Sequence, residues 1–292
     1  MIKKILVLFS IFCNSLSLPI SILQNTQLSN YNISNNIKYK INNILINRII
    51  IVADIHSDYD RFNKILQNAE IIDKNNVWIT NNTLLVQLGD QIDRKAIDKH
   101  DISDKHHFKL TYYTDYLKKE SRKHKSDVVS LIGNHELMNI DKIRNKSEIR
   151  KIIADRPVLF KFYNYIFCHG GFTKSHYEIL NMFKMKIENL NTIWKKYVMN
   201  IELTLDETKV LNYLILNTTD SILYIRKDLD TKEILHNLDI EYMFVGHSET
   251  ENIYLKNKVW YLDQMLKTSF DNNNYNYLEI IDDNIYVRSL EY

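Results

Sequence analysis

From Ile44 onward, short runs of aliphatic and β-branched residues alternate with polar stretches in which apolar residues recur at helical spacing. The runs Arg48–Ala53, Leu84–Leu88, Val128–Ile132, Tyr165–Cys168 and Tyr242–Val245 have the length and composition of buried strands. Between the first two, Phe62, Ile65, Leu66 and Ala69 follow Asp58 at the spacing of one helix face, with Asp58 placed to cap it. A second helix is predicted over residues 106–125, carrying Tyr112, Tyr113, Tyr116 and Leu117. A helical insertion is predicted over residues 174–217, which contain no Gly or Pro, and is expected to shape access to a site. The runs Lys258–Leu262, Tyr275–Ile281 and Asn284–Leu290 predict antiparallel strands joined by turns at Asp271–Asn274 and Asp282–Asp283. Strand and helix in alternation define an α/β domain over residues 44–292, and no internal repeat interrupts it.

Before that domain the pattern changes. Residues 18–43 are polar and weakly periodic and read as a loose entry followed by a first strand. Residues 1–17 place Lys3 and Lys4 before an apolar run, Ile5–Cys13, and small residues at Ser15 and Ser17. That is the order of a secretory signal cleaved after Ser17, and the run is too short for an ordinary membrane-spanning helix. An uncleaved anchor extended through Ile20, or an N-terminal element of the fold, are the alternatives. The leader reading places the protein in the secretory pathway, with membrane attachment only if the segment is retained.

The chain of 292 residues is 45% hydrophobic and 25% charged, enough for a full core, with a formal net charge of +2. Loss of Lys3 and Lys4 with a leader leaves it electrically balanced, so charge gives no case for nucleic acid or an anionic membrane as partner. The same cleavage removes Cys13 and leaves Cys168 alone, which excludes an internal disulfide; Cys168 reads as a small buried hydrophobe.

The chemistry concentrates at five points. All 5 glycines, Gly89, Gly133, Gly170, Gly171 and Gly246, lie at predicted strand ends beside Asp, Asn or His. Glycine permits close backbone approach, and loops at the carboxyl ends of α/β strands are where ligands usually bind. The segments are Asp54-Ile55-His56, Gly89-Asp90-Gln91-Ile92-Asp93-Arg94, Gly133-Asn134-His135-Glu136, His169-Gly170-Gly171 and Gly246-His247. Taken singly, each Asp or His reads as a turn, cap or core residue. Taken together, carboxylate, amide and imidazole donors suit Mn, Fe, Zn or Ni, and a shared carboxylate can hold two cations close together.

In this order the five segments resemble the calcineurin-like metallophosphoesterase superfamily and, within it, the phosphoprotein phosphatase branch. Gly133-Asn134-His135-Glu136-Leu137-Met138-Asn139 is most similar to the Shewanella-like protein phosphatases. The resemblance implies a sandwich of two mixed β-sheets flanked by helices, and two metal ions in loops at one edge. It implies that Asp54, His56 and Asp90 hold one ion, and Asp90, Asn134, His169 and His247 the other. His135 and Asp93 match the pair that protonates the leaving group, and Arg94 and Arg226 the pair that grips phosphate, Arg226 through the looser match Ser221–Arg226. Glu136 matches no ligand and is open to a supporting or a surface role.

The implied reaction is hydrolysis of a phosphomonoester by a metal-bridging hydroxide without a phosphoenzyme. The expected substrate is a phosphoserine or phosphothreonine protein, with phosphotyrosine open. The alternatives are a nucleotide or dinucleoside polyphosphate hydrolase and, from another class, a silent phosphoprotein-binding module. Lys95 after Arg94, Ser248-Glu249 after His247, and Gln264-Met265 after Asp263 depart from the family pattern; these changes bear on substrate choice and leave the ligand set intact.

Overall fold

The computed structural model describes residues 39–92, 107–226, 229, 231–264 and 275–290. The expected leader over residues 1–17, the polar segment as far as residue 38 and the Asp271–Asn274 turn lie outside the described residues. The described chain opens earlier than expected, on a small antiparallel hairpin of β1 (Tyr39–Ile41) and β2 (Ile44–Ile46).

Two five-stranded sheets follow. The first is built from β3 (Arg48–Val52), β4 (Thr83–Gln87), β5 (Asp127–Ser130), β11 (Asn276–Ile281) and β12 (Asn284–Ser289), in the order β12-β11-β3-β4-β5. The second contains β6 (Leu159–Phe162), β7 (Tyr165–Cys168), β8 (Tyr242–Val245), β9 (Tyr254–Lys256) and β10 (Val259–Tyr261), in the order β6-β7-β8-β10-β9. Both are mixed: β3, β4 and β5 run parallel in one, β7, β8 and β10 in the other, with antiparallel strands outside them.

Strand alternation decides the layers. Ile49 and Ile51 of β3 face the space between the sheets, where they meet Phe167 and Phe244, whose rings stack at 5.0 Å. Ile50 and Val52 face the other way, onto α1 (Tyr59–Asn68) and α2 (Lys109–Lys123) through Phe62, Leu66 and Leu117. On the far side Ile166, Cys168 and Met243 pack against α6 (Lys174–Met182), α7 (Ile187–Val198), α8 (Leu205–Leu211) and its π-helical continuation Asn212–Leu216. Each fully buried Ile or Leu in these interfaces contributes roughly 1.5–3 kcal/mol. Helices thus recur from Lys174 to Leu216, and Asp58 caps α1 through a 2.9 Å bond from the Arg61 N–H to its carboxylate.

Two details differ from the sequence pattern. The Lys258–Leu262 run does not join the C-terminal strands. As β10 it lies inside the second sheet, parallel to β8 and antiparallel to β9, because Val259 and Tyr261 on one face are buried against the helical layer. Between β5 and β6 the chain also forms α3 (Asn134–Met138), α4 (Ile140–Arg144) and α5 (Ser147–Ala154), each too short for helical periodicity to stand out. The remaining helix, α9 (Lys232–Asn237), precedes β8. No helix among the described residues is long and apolar enough to cross a membrane.

Candidate metal centre and active site

The parallel strands of both sheets deliver their carboxyl ends to one place. Asp54 follows β3, Asp90 follows β4, Asn134 follows β5, His169 follows β7 and His247 follows β8. His56, Asp90 and His135 bring donor atoms within 4.8 Å of one another, and Asp90, His169 and His247 do the same. Asp90 belongs to both trios. Its Oδ2 lies 3.4 Å from His169 Nε2, 3.8 Å from His56 Nε2 and 3.9 Å from His135 Nε2, while Asp54 Oδ2 lies 3.9 Å from His56 Nε2. Asn134 Oδ1 completes the second group at 2.9 Å from His169 Nε2.

Backbone geometry makes these approaches possible. A methyl group on Gly133 would overlap the Asp90 carboxylate, and one on Gly246 would overlap that of Asp54, so both positions require glycine. His56, Asp90 and His247 stand at φ of 49°, 51° and 57°, a left-handed region costly for side chains of this kind, by roughly 1–3 kcal/mol each. The loops offset that cost by tying to one another. The N–H groups of Ile55 and His56 donate to the Asp90 carbonyl at 3.1 and 2.9 Å, and the His247 N–H donates to the Asp54 carboxylate at 3.2 Å.

Glu136, whose role the sequence leaves open, is fully buried. Its carboxylate accepts the N–H groups of Asp90 (3.0 Å), Gln91 (2.9 Å), Ile92 (3.2 Å) and Gly133 (2.8 Å), clamping the Asp90 loop onto the start of α3. Three of the four donors, Asp90, Gln91 and Ile92, lie over forty residues from Glu136, a pairing that local sequence does not disclose.

The imidazoles are oriented from behind. His169 Nδ1 donates to the Leu88 carbonyl at 2.8 Å, which turns Nε2 toward Asp90 and Asn134; His247 Nε2 donates to the Tyr224 carbonyl at 3.1 Å, which frees Nδ1. Burial opposes charge on His169, but Asp90 and Asp54 outweigh it and raise the imidazole to about 10. Burial, His169 and Arg226 hold His247 down to about 3, so it stays neutral and able to ligate. Burial and the neighbouring Asp263 push the Asp54 carboxyl well up. Burial also raises the Cys168 thiol, in keeping with an inert core residue.

The structure therefore brings Asp54, His56, Asp90, Asn134, His135, His169 and His247 together. Arg226 is exposed and close enough to His247 to oppose its protonation. Asp93 and Arg94 lie outside the described residues. Asp263, after β10, joins the cluster electrostatically; the sequence marked only the Gln264-Met265 that follows it, as a departure from family pattern.

A two-sheet α/β sandwich with an acid–imidazole cluster at its strand ends is the architecture of a metallophosphoesterase. Residues 47–249 match the calcineurin-like phosphoesterase family, and the chain belongs to it. The chain is 27% identical over 301 residues to Shewanella-like protein phosphatase 1 of Plasmodium berghei, spanning 88% of this chain and 76% of that protein. It is 29% identical over 94 residues to Shewanella-like protein phosphatase 2 of Arabidopsis thaliana, a match covering 32% of this chain and 22% of that protein. Among solved structures, a cold-active protein-tyrosine phosphatase of a psychrophilic Shewanella species shares the fold with a TM-score of 0.63 at 18% identity, covering 84% of this chain and 81% of that one. A protein serine/threonine phosphatase from Saccharomyces cerevisiae does so with a TM-score of 0.53 at 12% identity, covering 84% and 80%. The chain is a metal-dependent hydrolase of phosphoesters, and its family uses a dinuclear metal centre. The residues present fit that cofactor: hard oxygen and imidazole donors converge on two overlapping points with one carboxylate common to both.

Proposed function

We propose that this chain is a protein phosphatase that hydrolyses phosphoserine and phosphothreonine esters. Asp54, His56 and Asp90 would hold one cation, and Asp90, Asn134, His169 and His247 the other. When bound, two cations lower the pKa of water and offset the charge of the phosphoryl oxygens. Arg226, exposed at the rim, and Arg94 from its matching motif hold the phosphate for in-line attack. His135, paired with Asp93 by the motif match, would hand a proton to the departing oxygen.

The position of His135 carries the choice of substrate. Its ring meets that of His56 edge to face at 4.8 Å, and its side chain is 14% exposed where that of His169 is 0% exposed. It can therefore face both the centre and an incoming ester. A serine or threonine alkoxide is a far more basic leaving group than a tyrosine phenolate, so an acid at this point matters most for the former.

The test uses the full chain loaded with Mn and assayed on phosphoserine, phosphothreonine and phosphotyrosine peptides, mononucleotides and dinucleoside polyphosphates. Phosphoserine and phosphothreonine peptides should turn over fastest, and chelation should abolish the activity. His135→Ala should keep two ions while kcat on phosphoserine falls by roughly 100-fold, and on p-nitrophenyl phosphate by much less. Turnover confined to nucleotides would move the nucleotide reading to first place, and bound metal without turnover the binding-module reading.

A further inference from the structure

Away from the metal centre, the free edge of the first sheet borders a groove of about 920 Å³. Its lining includes Val128, Val129 and Ser130 of β5, Phe160 of β6 and Ile41 of β1. Among the described strands β5 pairs with β4 alone; on its outer side the Val128 N–H donates to the Asp127 carboxylate at 2.9 Å and the Ile132 N–H to the Pro157 carbonyl at 3.0 Å, so the edge borders the groove mainly through side chains. None of the residues of the metal cluster lines this groove.

The groove is basic. Lys118, Lys119, Arg122, Lys151, Arg156 and Lys195 line it, against Asp115, Glu148 and Asp155. Asp115 is taken by Lys119 at 2.7 Å and Asp155 by Lys195 at 2.6 Å. Lys118 and Lys151 have no ion-pair partner among the described residues.

Arg156 is the unusual member. It is only 6% exposed, and its Nη2 donates to the Thr111 carbonyl at 3.3 Å and Thr114 Oγ1 at 3.0 Å, while its buried Nη1 has no hydrogen-bond partner among the described residues. Burial brings the guanidinium down to about 10, with Glu136 and Asp115 working against the drop, so it remains a cation at neutral pH. A buried cation satisfied on one side only is arranged to receive an anion.

We propose that this groove docks an acidic, extended segment of the protein substrate beside β5, with its carboxylates on Lys118, Lys151 and Arg156. The proposal rests on the protein-phosphatase reading. Charge selects this occupant over the chain's own preceding segment, since residues 18–37 contain no Asp or Glu.

The experiment is fluorescence anisotropy of a short labelled peptide alternating Glu and Val, without phosphate, added to the full Mn-loaded chain. Saturable binding is expected that weakens with salt, persists when inorganic phosphate replaces chloride at matched ionic strength, and falls at least about tenfold in the double variant Lys118→Glu, Lys151→Glu. Arg156→Met should weaken it as well; if that variant does not fold, the surface double variant, checked by circular dichroism, decides alone. No binding, equal binding by the double variant, or displacement by phosphate would overturn the proposal. So would a dimer that the same charge reversal dissociates while the peptide stays unbound, which would assign the groove to a second copy. Because the peptide holds no ester, its failure leaves the hydrolysis result untouched, and the converse also holds.

Discussion

Asp90 and Asp54 occupy like positions, each buried just beyond a strand of the same sheet, yet their surroundings push them apart. Burial would raise both carboxyls. Around Asp90 it is overcome by His169, His135 and His56, all within 3.9 Å, and the His135 N–H donates to its Oδ1 at 2.9 Å, so the group is held well below the usual carboxylate range. Around Asp54 burial is reinforced by Asp263 and Asp90, and the offsetting His169 Nδ1 is 4.0 Å away. The Asp90 side is charged and assembled before any cation arrives. The Asp54 carboxyl gives up its proton less readily, which makes it the adjustable half of the centre.

The sharpest way to break this contrast is to neutralise each carboxylate in turn. Asp90→Asn should lower kcat/KM by roughly three orders of magnitude or more, about 4 kcal/mol, because it removes the only carboxylate common to both donor groups. Asp54→Asn should weaken one ion by on the order of 100-fold, with excess metal restoring most of the rate. Metal stoichiometry by elemental analysis, read beside the phosphatase assay, decides between them. Equal and unrecoverable losses would mean that the two sides are not functionally distinct.

The next test removes what holds the Asp90 side in shape. Glu136→Ala strands four backbone N–H groups, all in loops the carboxylate now joins. Each unsatisfied donor costs roughly 1–3 kcal/mol, and water entry recovers part of it, so a net loss of about 3 kcal/mol is expected in urea unfolding. Glu136→Gln, which keeps one acceptor oxygen, should lose about half as much. A loss under about 1 kcal/mol would mean that the backbone links of His56 to Asp90 suffice to hold the loop.

Glu136 also marks the limit of what the chain discloses on inspection. Strands β3, β4, β5, β7 and β8 were legible because burial on both faces gives each a short run of mainly aliphatic or aromatic residues. The five glycine-flanked segments were legible because ligand chemistry uses few residue types at fixed spacings. β9 was not, since all three of its residues are exposed and carry no alternation, and β6 was not, since Lys161 interrupts four residues that read equally well as loop. The roles of Glu136 and Arg156 depend on contacts across more than forty residues, which no local pattern encodes. Asp263 was in view only as the residue before the Gln264-Met265 departure; its electrostatic effect on Asp54 depends on β10 lying inside the second sheet.

The smallest effect separates the metal centre from the fold that carries it. His169 and His176 lie seven residues apart and are driven in opposite directions. His176 is buried in the turn into α6, where Nδ1 accepts the Thr173 N–H at 3.2 Å and Nε2 donates to the Asp220 carbonyl at 2.5 Å, a pairing that only neutral imidazole can make. Burial accordingly lowers its pKa, with the Asp220 contacts partly offsetting. The unfolded chain, whose histidine titrates near ~6.5, therefore binds the proton first as pH falls. The stability from His176 is complete above that value and declines through the window between it and the lower folded-state pKa. In metal-loaded protein, Tm should drop between about pH 7 and pH 5, and His176→Gln, which cannot titrate, should flatten that drop by an amount equivalent to under about 1 kcal/mol. Because both proteins keep His169 and its metal, the difference between the two curves isolates His176. Superimposable slopes would show that the turn tolerates a charged imidazole, and that the centre alone governs the acid limb of stability.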